Sequence, residues 1–130
     1  MNSSIEIFRI TKHAHQQIIE ESRKSFGIET GGILIGDLEQ KFIFEAGGPG
    51  PKAKKAAAHF SPDVKHDQAL LDRAKKEYGD SAAFLGYWHR HPGSLDQPSG
   101  GDLAQARELL RKFKKGGDHG CVLSIITTLQ

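Results

Sequence analysis

Residues 83–102 read AFLGYWHRHPGSLDQPSGGD and place an apolar run directly before two histidines. We expect Ala83–His89 to form a strand, because a short run rich in apolar and aromatic residues is typical of a buried strand. Side chains alternate between the two faces of an extended chain, so His89 and His91 point to the same side and can share one metal ion. Asp102 lies in the first turn of the next predicted helix, and the intervening loop can fold it back toward both imidazoles.

These three side chains would leave a zinc ion one open position for water, which is typical of a catalytic zinc site. Each part also has a plainer explanation. An isolated His-x-His pair is usually two surface or hydrogen-bonded histidines, and Ser99, three residues before Asp102, is typical of a helix start. The interpretations are compatible, since Ser99 can cap the helix while Asp102 binds the ion.

The rest of the chain predicts alternating strands and helices, which favours an α/β fold with helices packed on a mixed sheet. In chain order the predicted elements are a short strand within residues 5–10, a helix over Lys12–Ser25 capped by Thr11, a strand over Gly31–Gly36, its hairpin partner Lys41–Ala46, a short strand His59–Ser61, a helix capped by Ser61 and running from Pro62 to Glu77, the strand Ala83–His89, a helix over Ser99–Lys115 and a strand over Cys121–Thr127.

Apolar residues that recur every three or four positions predict the buried face of each helix. These residues are Ala14, Ile18, Ser22 and Phe26 in the first helix, Val64, Leu71, Ala74 and Tyr78 in the second, and Leu103, Ala106, Leu110 and Phe113 in the third. The stretch Gly47–Ala58 (GGPGPKAKKAAA) predicts a mobile, solvated loop, or else a charged flap that binds substrate.

Length and composition restrict the classes of function. The 130 residues fit a single domain over 1–130. The net charge is +2, from 18 Lys+Arg against 16 Asp+Glu, and does not favour nucleic acid or a membrane surface as a partner. One cysteine, Cys121, excludes an internal disulfide and a multi-cysteine zinc site. With neither a signal peptide nor an apolar run long enough to span a membrane, a cytoplasmic protein is expected.

The histidine pair belongs to a longer pattern. His89-Arg90-His91-Pro92 is followed, after six further residues, by Ser99-Gly100-Gly101-Asp102. This combination resembles the JAMM signature of the JAB/MPN metalloproteases. That family also has a glutamate before a glycine-rich strand, and Glu29-Thr30-Gly31-Gly32-Ile33-Leu34-Ile35-Gly36 is similar to that element. The resemblance extends from about residue 5 to the end of the chain and implies the JAB/MPN, cytidine deaminase-like architecture of a prokaryotic-type JAB domain.

The resemblance implies a role for each matching residue. His89, His91 and Asp102 would bind one Zn²⁺ ion whose bound water is the nucleophile. Glu29 would be the general base, and Ser99 would donate a hydrogen bond to the developing oxyanion. The sequence departs from the family at Arg90, where better-known members have a small hydroxylated residue. By alternation Arg90 faces away from the metal.

The family's reaction implies a zinc-dependent isopeptidase or peptidase that cleaves after the carboxyl-terminal glycines of a ubiquitin-like or sulfur-carrier protein. Such a carrier, with its Gly-Gly tail, and its activating enzyme are the expected partners. The alternative is a non-catalytic MPN-type scaffold for protein contacts, although members of that class usually lack a ligand. A zinc deaminase is excluded, because its P-C-x-x-C element needs two cysteines.

The remaining aromatic and histidine residues of interest have structural interpretations. Tyr87 and Trp88 are expected to flank the sheet core. The five histidines outside the motif are expected to be surface or helix residues, and they are His13, His15, His59, His66 and His119.

Overall fold

The computed structural model describes residues 7–24, 28–56, 59–91, 103–105, 107, 108, 111 and 123–128. The elements are β1 (Arg9–Ile10), α1 (Lys12–Lys24), β2 (Thr30–Asp37), β3 (Phe42–Ala46), β4 (Lys54–Ala56), β5 (His59–Ser61), α2 (Val64–Tyr78), β6 (Ala83–His91) and β7 (Leu123–Thr128). Residues 103–105, 107, 108 and 111 are helical, within the span predicted for the third helix. The predicted α/β class, a mixed sheet with helices, is confirmed.

Five strands form one sheet in the order β1-β3-β2-β6-β7, and β4 pairs with β5 in a separate two-stranded sheet. β2 runs antiparallel to both β3 and β6, whereas β1 is parallel to β3 and β7 is parallel to β6. Because β2 and β6 lie inside the sheet, both are buried along most of their length. The sequence of a strand that is covered on both faces is typically a continuous apolar run, as it is over Ile33–Ile35.

Two apolar clusters cover the two faces of this sheet. Leu34 and Trp88 pack with Ala14 and Ile18 of α1 on one face. Ile33 and Tyr87, their neighbours along β2 and β6, belong to the cluster on the opposite face with α2. The alternation of side chains along a strand therefore separates an α1 face from an α2 face.

The start of α1 agrees with the sequence prediction. The Thr11 hydroxyl accepts a hydrogen bond from the Ala14 backbone N–H at 3.0 Å, which caps the helix. Ala14 and Ile18 are buried and Ser22 is half-buried, as predicted. Phe26 and the predicted end at Ser25 lie outside the described residues.

The start of α2 corrects the prediction. Asp63, rather than Ser61, is the N-cap, and its carboxylate accepts a hydrogen bond from the His66 backbone N–H at 3.2 Å. Ser61 is instead the last residue of β5. The carboxylate of Asp63 also accepts the Lys52 N–H at 2.9 Å, so it caps the helix and holds the preceding turn. α2 ends at Tyr78, one residue after the predicted end, and Gly79 follows it with φ +97°.

The buried face of α2 is also rotated from the predicted one. Val64 and Tyr78, which were predicted to face inward, are 71% and 39% exposed. Ala74 and Leu71 do pack inward, and they are joined by Asp67, a charged residue that the apolar pattern did not include. In the helical segment after β6, Leu103 was likewise predicted to face inward and is 44% exposed.

Several boundaries differ from the sequence prediction. Part of the predicted loop Gly47–Ala58 forms β4, because its backbone pairs with β5. β6 continues past His89 to His91, since β2 pairs with it as far as Arg90 and β7 as far as His91. β7 extends to Thr128. In the part of the chain that the structure describes, no helix is long and apolar enough to cross a membrane.

Candidate metal and catalytic site

The register of β2 against β6 brings three of the predicted site residues to one place. Gly31 pairs with His89 and Thr30 pairs with Arg90, so Glu29 lies next to His91 just beyond the last pair. Residues opposite each other in an antiparallel ladder share a face. Glu29, His89 and His91 therefore lie together on the α2 face.

The carboxylate and the two imidazoles are almost completely withdrawn from solvent. Glu29 Oε1 lies 3.4 Å from His91 Nε2. Glu29, His89 and His91 are 7%, 3% and 4% exposed. Polar groups buried to this degree are costly unless they are paired or bind a ligand, so this cluster is a strong candidate for a functional site.

The third predicted ligand, Asp102, and the predicted oxyanion donor, Ser99, lie outside the described residues. Within the residues that are described, no three His, Cys, Asp or Glu side chains are grouped so that they could hold a metal ion. The donor chemistry nevertheless fits zinc, because two imidazole nitrogens are ligands that zinc prefers and a carboxylate completes a common set. His89 and His91 are the residues on this face that would hold the ion.

The site is carried by the most constrained part of the sheet. On its other side β6 pairs with β7, and His89 and His91 lie opposite Ile126 and Thr128. Ligands on interior strands keep their positions better than ligands on loops, so the two imidazoles have a rigid base.

The glycine opposite His89 allows β2 and β6 to lie close together. A Cβ added to Gly31 would lie 2.2 Å from the Trp88 carbonyl oxygen, far inside van der Waals contact. Only glycine allows β2 and β6 to approach this closely beside His89.

A hydrogen bond on the opposite face anchors the beginning of β2. The Thr30 side chain is fully buried and its hydroxyl donates to Glu21 Oε2 of α1 at 3.0 Å. Thr30 directly follows Glu29, so this contact ties the backbone beside the predicted general base to the first helix.

Arg90 lies on the α1 face, as alternation predicted. Its side chain is 2% exposed and lines a cavity of about 590 Å³ together with apolar residues such as Ile18, Ile43 and Ile125. Arg90 thus lies on the opposite face of the sheet from His89 and His91. The departure from the family pattern at this position therefore leaves the α2 face unchanged.

Tyr87 and Trp88 are core residues, as predicted. Trp88 is fully buried, and its Nε1–H donates to the Gly47 carbonyl oxygen at 3.0 Å. A Cβ at Gly32 would lie 1.7 Å from the same oxygen. Only a glycine at this position therefore allows the chain after β3 to pass this close to β2. This contact fixes the start of the Gly47–Ala58 segment beside the strand that carries Gly31.

The histidines outside the motif fit their predicted places where the structure describes them. His13 and His15 are exposed on α1, and His66 packs under Gly50. His119 and the side chain of His59 lie outside the described residues.

Asp67 is a candidate functional residue that the sequence analysis missed. Asp67 is 5% exposed. In the part of the chain that the structure describes, neither oxygen of its carboxyl has a well-formed hydrogen bond. Burial raises its pKa from 3.8 to about 7; the Tyr87 hydroxyl partly opposes this shift, and the negative charge of Asp63 adds to it. Burial and the neighbouring Asp67 in turn raise the pKa of Tyr87. An aspartate within the apolar stripe of Leu70, Leu71 and Ala74 is the signal that could have identified it.

The chain is similar to known proteins over most of its length. Residues 11–129 match the family model described as prokaryotic homologs of the JAB domain. Two curated relatives are each 27% identical. They are a probable metalloprotease, y4qB, of Sinorhizobium fredii, aligned over 74% of this chain and 61% of the relative, and a CD-NTase/cGAS isopeptidase of Enterobacter hormaechei, aligned over 92% of this chain and 65% of the relative. The chain thus spans less than two thirds of the length of either relative.

A solved structure supports the fold. The solution structure of protein DSY2949 from Desulfitobacterium hafniense superposes with a TM-score of 0.62 at 20% identity, covering 77% of this chain and 67% of that one. The family match covers nearly the whole chain, and the mixed sheet agrees with it. The chain therefore belongs to the family of prokaryotic homologues of the JAB domain.

Proposed function

We propose that this protein is a zinc-dependent peptidase or isopeptidase of the JAMM type. The observation that carries the proposal is the convergence of the Glu29 carboxylate with His89 and His91 on one buried face, with 3.4 Å between Glu29 Oε1 and His91 Nε2. The relatives named as a metalloprotease and an isopeptidase support the same chemistry.

In this proposal His89, His91 and Asp102 hold the ion. A bound zinc ion would supply a water of lowered pKa and a Lewis acid for the carbonyl oxygen of the scissile bond. Two neutral imidazoles and one carboxylate leave room for that water, which a closed four-ligand site would not.

The protein's own groups would move the protons. Glu29 lies beside the imidazole pair and would accept the proton of the attacking water, then return it to the leaving amine. Ser99 would donate a hydrogen bond to the carbonyl oxygen as negative charge develops there. The burial of Glu29 keeps bulk water away from this proton transfer.

The substrate in this proposal is a ubiquitin-like or sulfur-carrier protein with a Gly-Gly tail, and the carrier's activating enzyme is a further partner. The relative named as an isopeptidase supports a protein conjugate as substrate. A single cysteine is compatible with work in the reducing cytoplasm.

The test combines metal analysis with a cleavage assay on Gly-Gly-tailed carrier proteins. The wild type should bind one zinc ion per chain and lose activity with chelator. Glu29→Gln should keep its zinc and lose at least about 10²-fold in kcat, as expected for loss of a general base. Glu20→Gln, an exposed glutamate of α1, is the matched control and should behave as wild type.

Each assignment has an outcome that would remove it. Full turnover by Glu29→Gln would exclude Glu29 as the base. Undiminished zinc in both His89→Ala and Asp102→Ala would contradict the ligand assignment. A protein that binds no zinc and cleaves no carrier would favour the non-catalytic MPN-type scaffold.

A further inference from the structure

A small pocket lies next to the histidines on the α2 face. Its volume is about 120 Å³, and its walls include Ile33 of β2, Phe84 and Tyr87 of β6, and Asp67 and Leu71 of α2. We call this the Asp67 pocket. The polar residues among its described walls are Asp67, Tyr87 and Gln68, and Asp67 is the acidic one.

The pocket is adjacent to the proposed catalytic residues. Ile33 pairs with Tyr87, and the next pair on the same face is Gly31 with His89. Two residues along a strand correspond to about 7 Å. The Tyr87 and His89 rings are neighbours as well, with centroids 6.5 Å apart. An extended peptide whose scissile bond lies at His89 could therefore place a side chain of a residue two or three positions away in the Asp67 pocket.

The Asp67 carboxyl is available to a ligand. Among the described residues neither oxygen of Asp67 has a well-formed hydrogen bond, although the residue is only 5% exposed. Asp63, one turn earlier, is the opposite case: its carboxylate accepts backbone N–H groups of Lys52 and His66. The Tyr87 hydroxyl is the donor that acts on this carboxyl, and a buried carboxylate can accept more than one hydrogen bond, so a ligand that supplies further donors would bind there with a net gain.

Several features of the pocket favour a guanidinium group as that ligand. The two oxygens of one carboxylate match the paired N–H donors of a guanidinium. Phe84 and Tyr87 form an edge-to-face pair with centroids 5.3 Å apart, and their rings offer a surface on which a planar cation can stack. The nearby negative charge of Asp63 also favours a cation.

We propose that the Asp67 pocket is a specificity subsite that binds the guanidinium of an arginine side chain in the substrate, close to the scissile bond. This inference rests on the proposed peptidase function for the identity of the ligand. The binding chemistry itself can be tested without hydrolysis.

The test uses n-butylguanidinium and its neutral isostere n-butylurea with the full-length chain at pH 8. Binding is followed by NMR through the aromatic signals of Phe84 and Tyr87. We expect the dissociation constant for butylguanidinium to be at least about tenfold lower than that for butylurea, as for a charge-assisted hydrogen bond. Asp67→Asn should remove this preference, whereas Asp72→Asn, an exposed aspartate on the same helix, should keep it.

The pH dependence gives an independent check on the same binding. With a carboxyl pKa of about 7, lowering the pH to 5 protonates Asp67 and should weaken butylguanidinium binding at least about tenfold while leaving butylurea unchanged. Among the described residues, the groups that shift the pKa of Asp67 are Tyr87 and Asp63, and neither should titrate in this range, since the pKa of Asp63 is lowered and that of Tyr87 is raised.

Either of two results would overturn the subsite: equal binding of butylurea and butylguanidinium, or unchanged guanidinium affinity in Asp67→Asn. The carboxyl ¹³C shift of Asp67 in the wild type, measured with and without ligand, keeps the test decisive if the variant does not fold, since an unmoved shift would also overturn it. Failure of the peptidase proposal would instead appear as absent hydrolysis with fragment binding intact.

Discussion

Asp63 and Asp67 lie one turn apart at the start of α2, and their environments change their pKa values in opposite directions. Backbone N–H donors from Lys52 and His66 lower the pKa of Asp63, because they stabilise its ionised form. Burial raises the pKa of Asp67 to about 7. One aspartate therefore stabilises the helix start at neutral pH, and the other opposes folding there.

Asp67 should make stability depend on pH. Because its folded pKa of about 7 is above the ordinary value of 3.8, the folded state holds a proton between these values that the unfolded state has lost. The free energy of unfolding should therefore fall as the pH rises from about 4 to about 7, and the contribution should level off above that.

Substitution by the isosteric amide isolates this effect. At pH 8 we expect Asp67→Asn to raise the free energy of unfolding by on the order of 2 kcal/mol, with little change at pH 4. Urea denaturation of both proteins at the two pH values measures it, and Asp72→Asn should change stability by less than about 0.5 kcal/mol at either. A gain for Asp67→Asn that is equal at pH 4 and pH 8 would show that the carboxyl does not titrate as described.

At the scale of elements, the β2–β6 ladder determines the site. Thr30 and Arg90 face α1, while Glu29 and His91 face α2, so a slip of one residue in this register would move the proposed catalytic groups to the opposite face. The buried contact from Thr30 to Glu21 holds α1 against the end of the ladder where Glu29 lies.

This contact predicts a positioning role for Thr30. Thr30→Val keeps the shape of the side chain but removes the donor to Glu21, so we expect a loss of about 1–3 kcal/mol in the free energy of unfolding. Cleavage of a Gly-Gly-tailed carrier should lose kcat with little change in KM, because the displaced group would be Glu29. Thr30→Ser retains the donor and should recover most of the kcat; a valine variant with wild-type kcat would contradict the positioning role.

For the whole molecule, metal binding should be linked to folding. His89 and His91 come together on one side of β6 only in an extended strand, and Asp102 can join them only if the following segment folds back. A zinc ion that binds the folded chain and not the unfolded one raises stability by mass action.

The thermal midpoint should therefore depend on zinc. At a free zinc concentration about a hundredfold above Kd, we expect an increase on the order of 10 °C over the chelator-treated protein. Scanning calorimetry with and without zinc measures the shift. His91→Ala should lose most of it and His15→Ala, an exposed histidine of α1, should keep it. An equal shift in both variants would place the zinc elsewhere.

Local patterns in the chain were sufficient for much of the fold and for part of the site. The alternation of β6 predicts that His89 and His91 share a face and that Arg90 does not, because the period of two is a property of any extended strand. Gly79 ends α2 at a positive φ, as its lack of a side chain allows. These features depend on neighbours in the sequence, so the sequence alone determined them.

Other features depended on contacts between distant segments. The N-cap of α2 is Asp63 rather than Ser61 because Asp63 also receives the Lys52 N–H, from a turn that no local pattern identifies. β4 forms within a loop-like sequence because β5 lies beside it. Glu29 reaches His91, and Asp67 is buried against Tyr87, only through the register of β2 and the packing of α2 on the sheet. The sequence thus determined which residue types the site contains. The tertiary structure decided the distances between them, their burial and, through burial, the pKa of Asp67. The reason is that desolvation depends on what packs around a group and not on its neighbours along the chain.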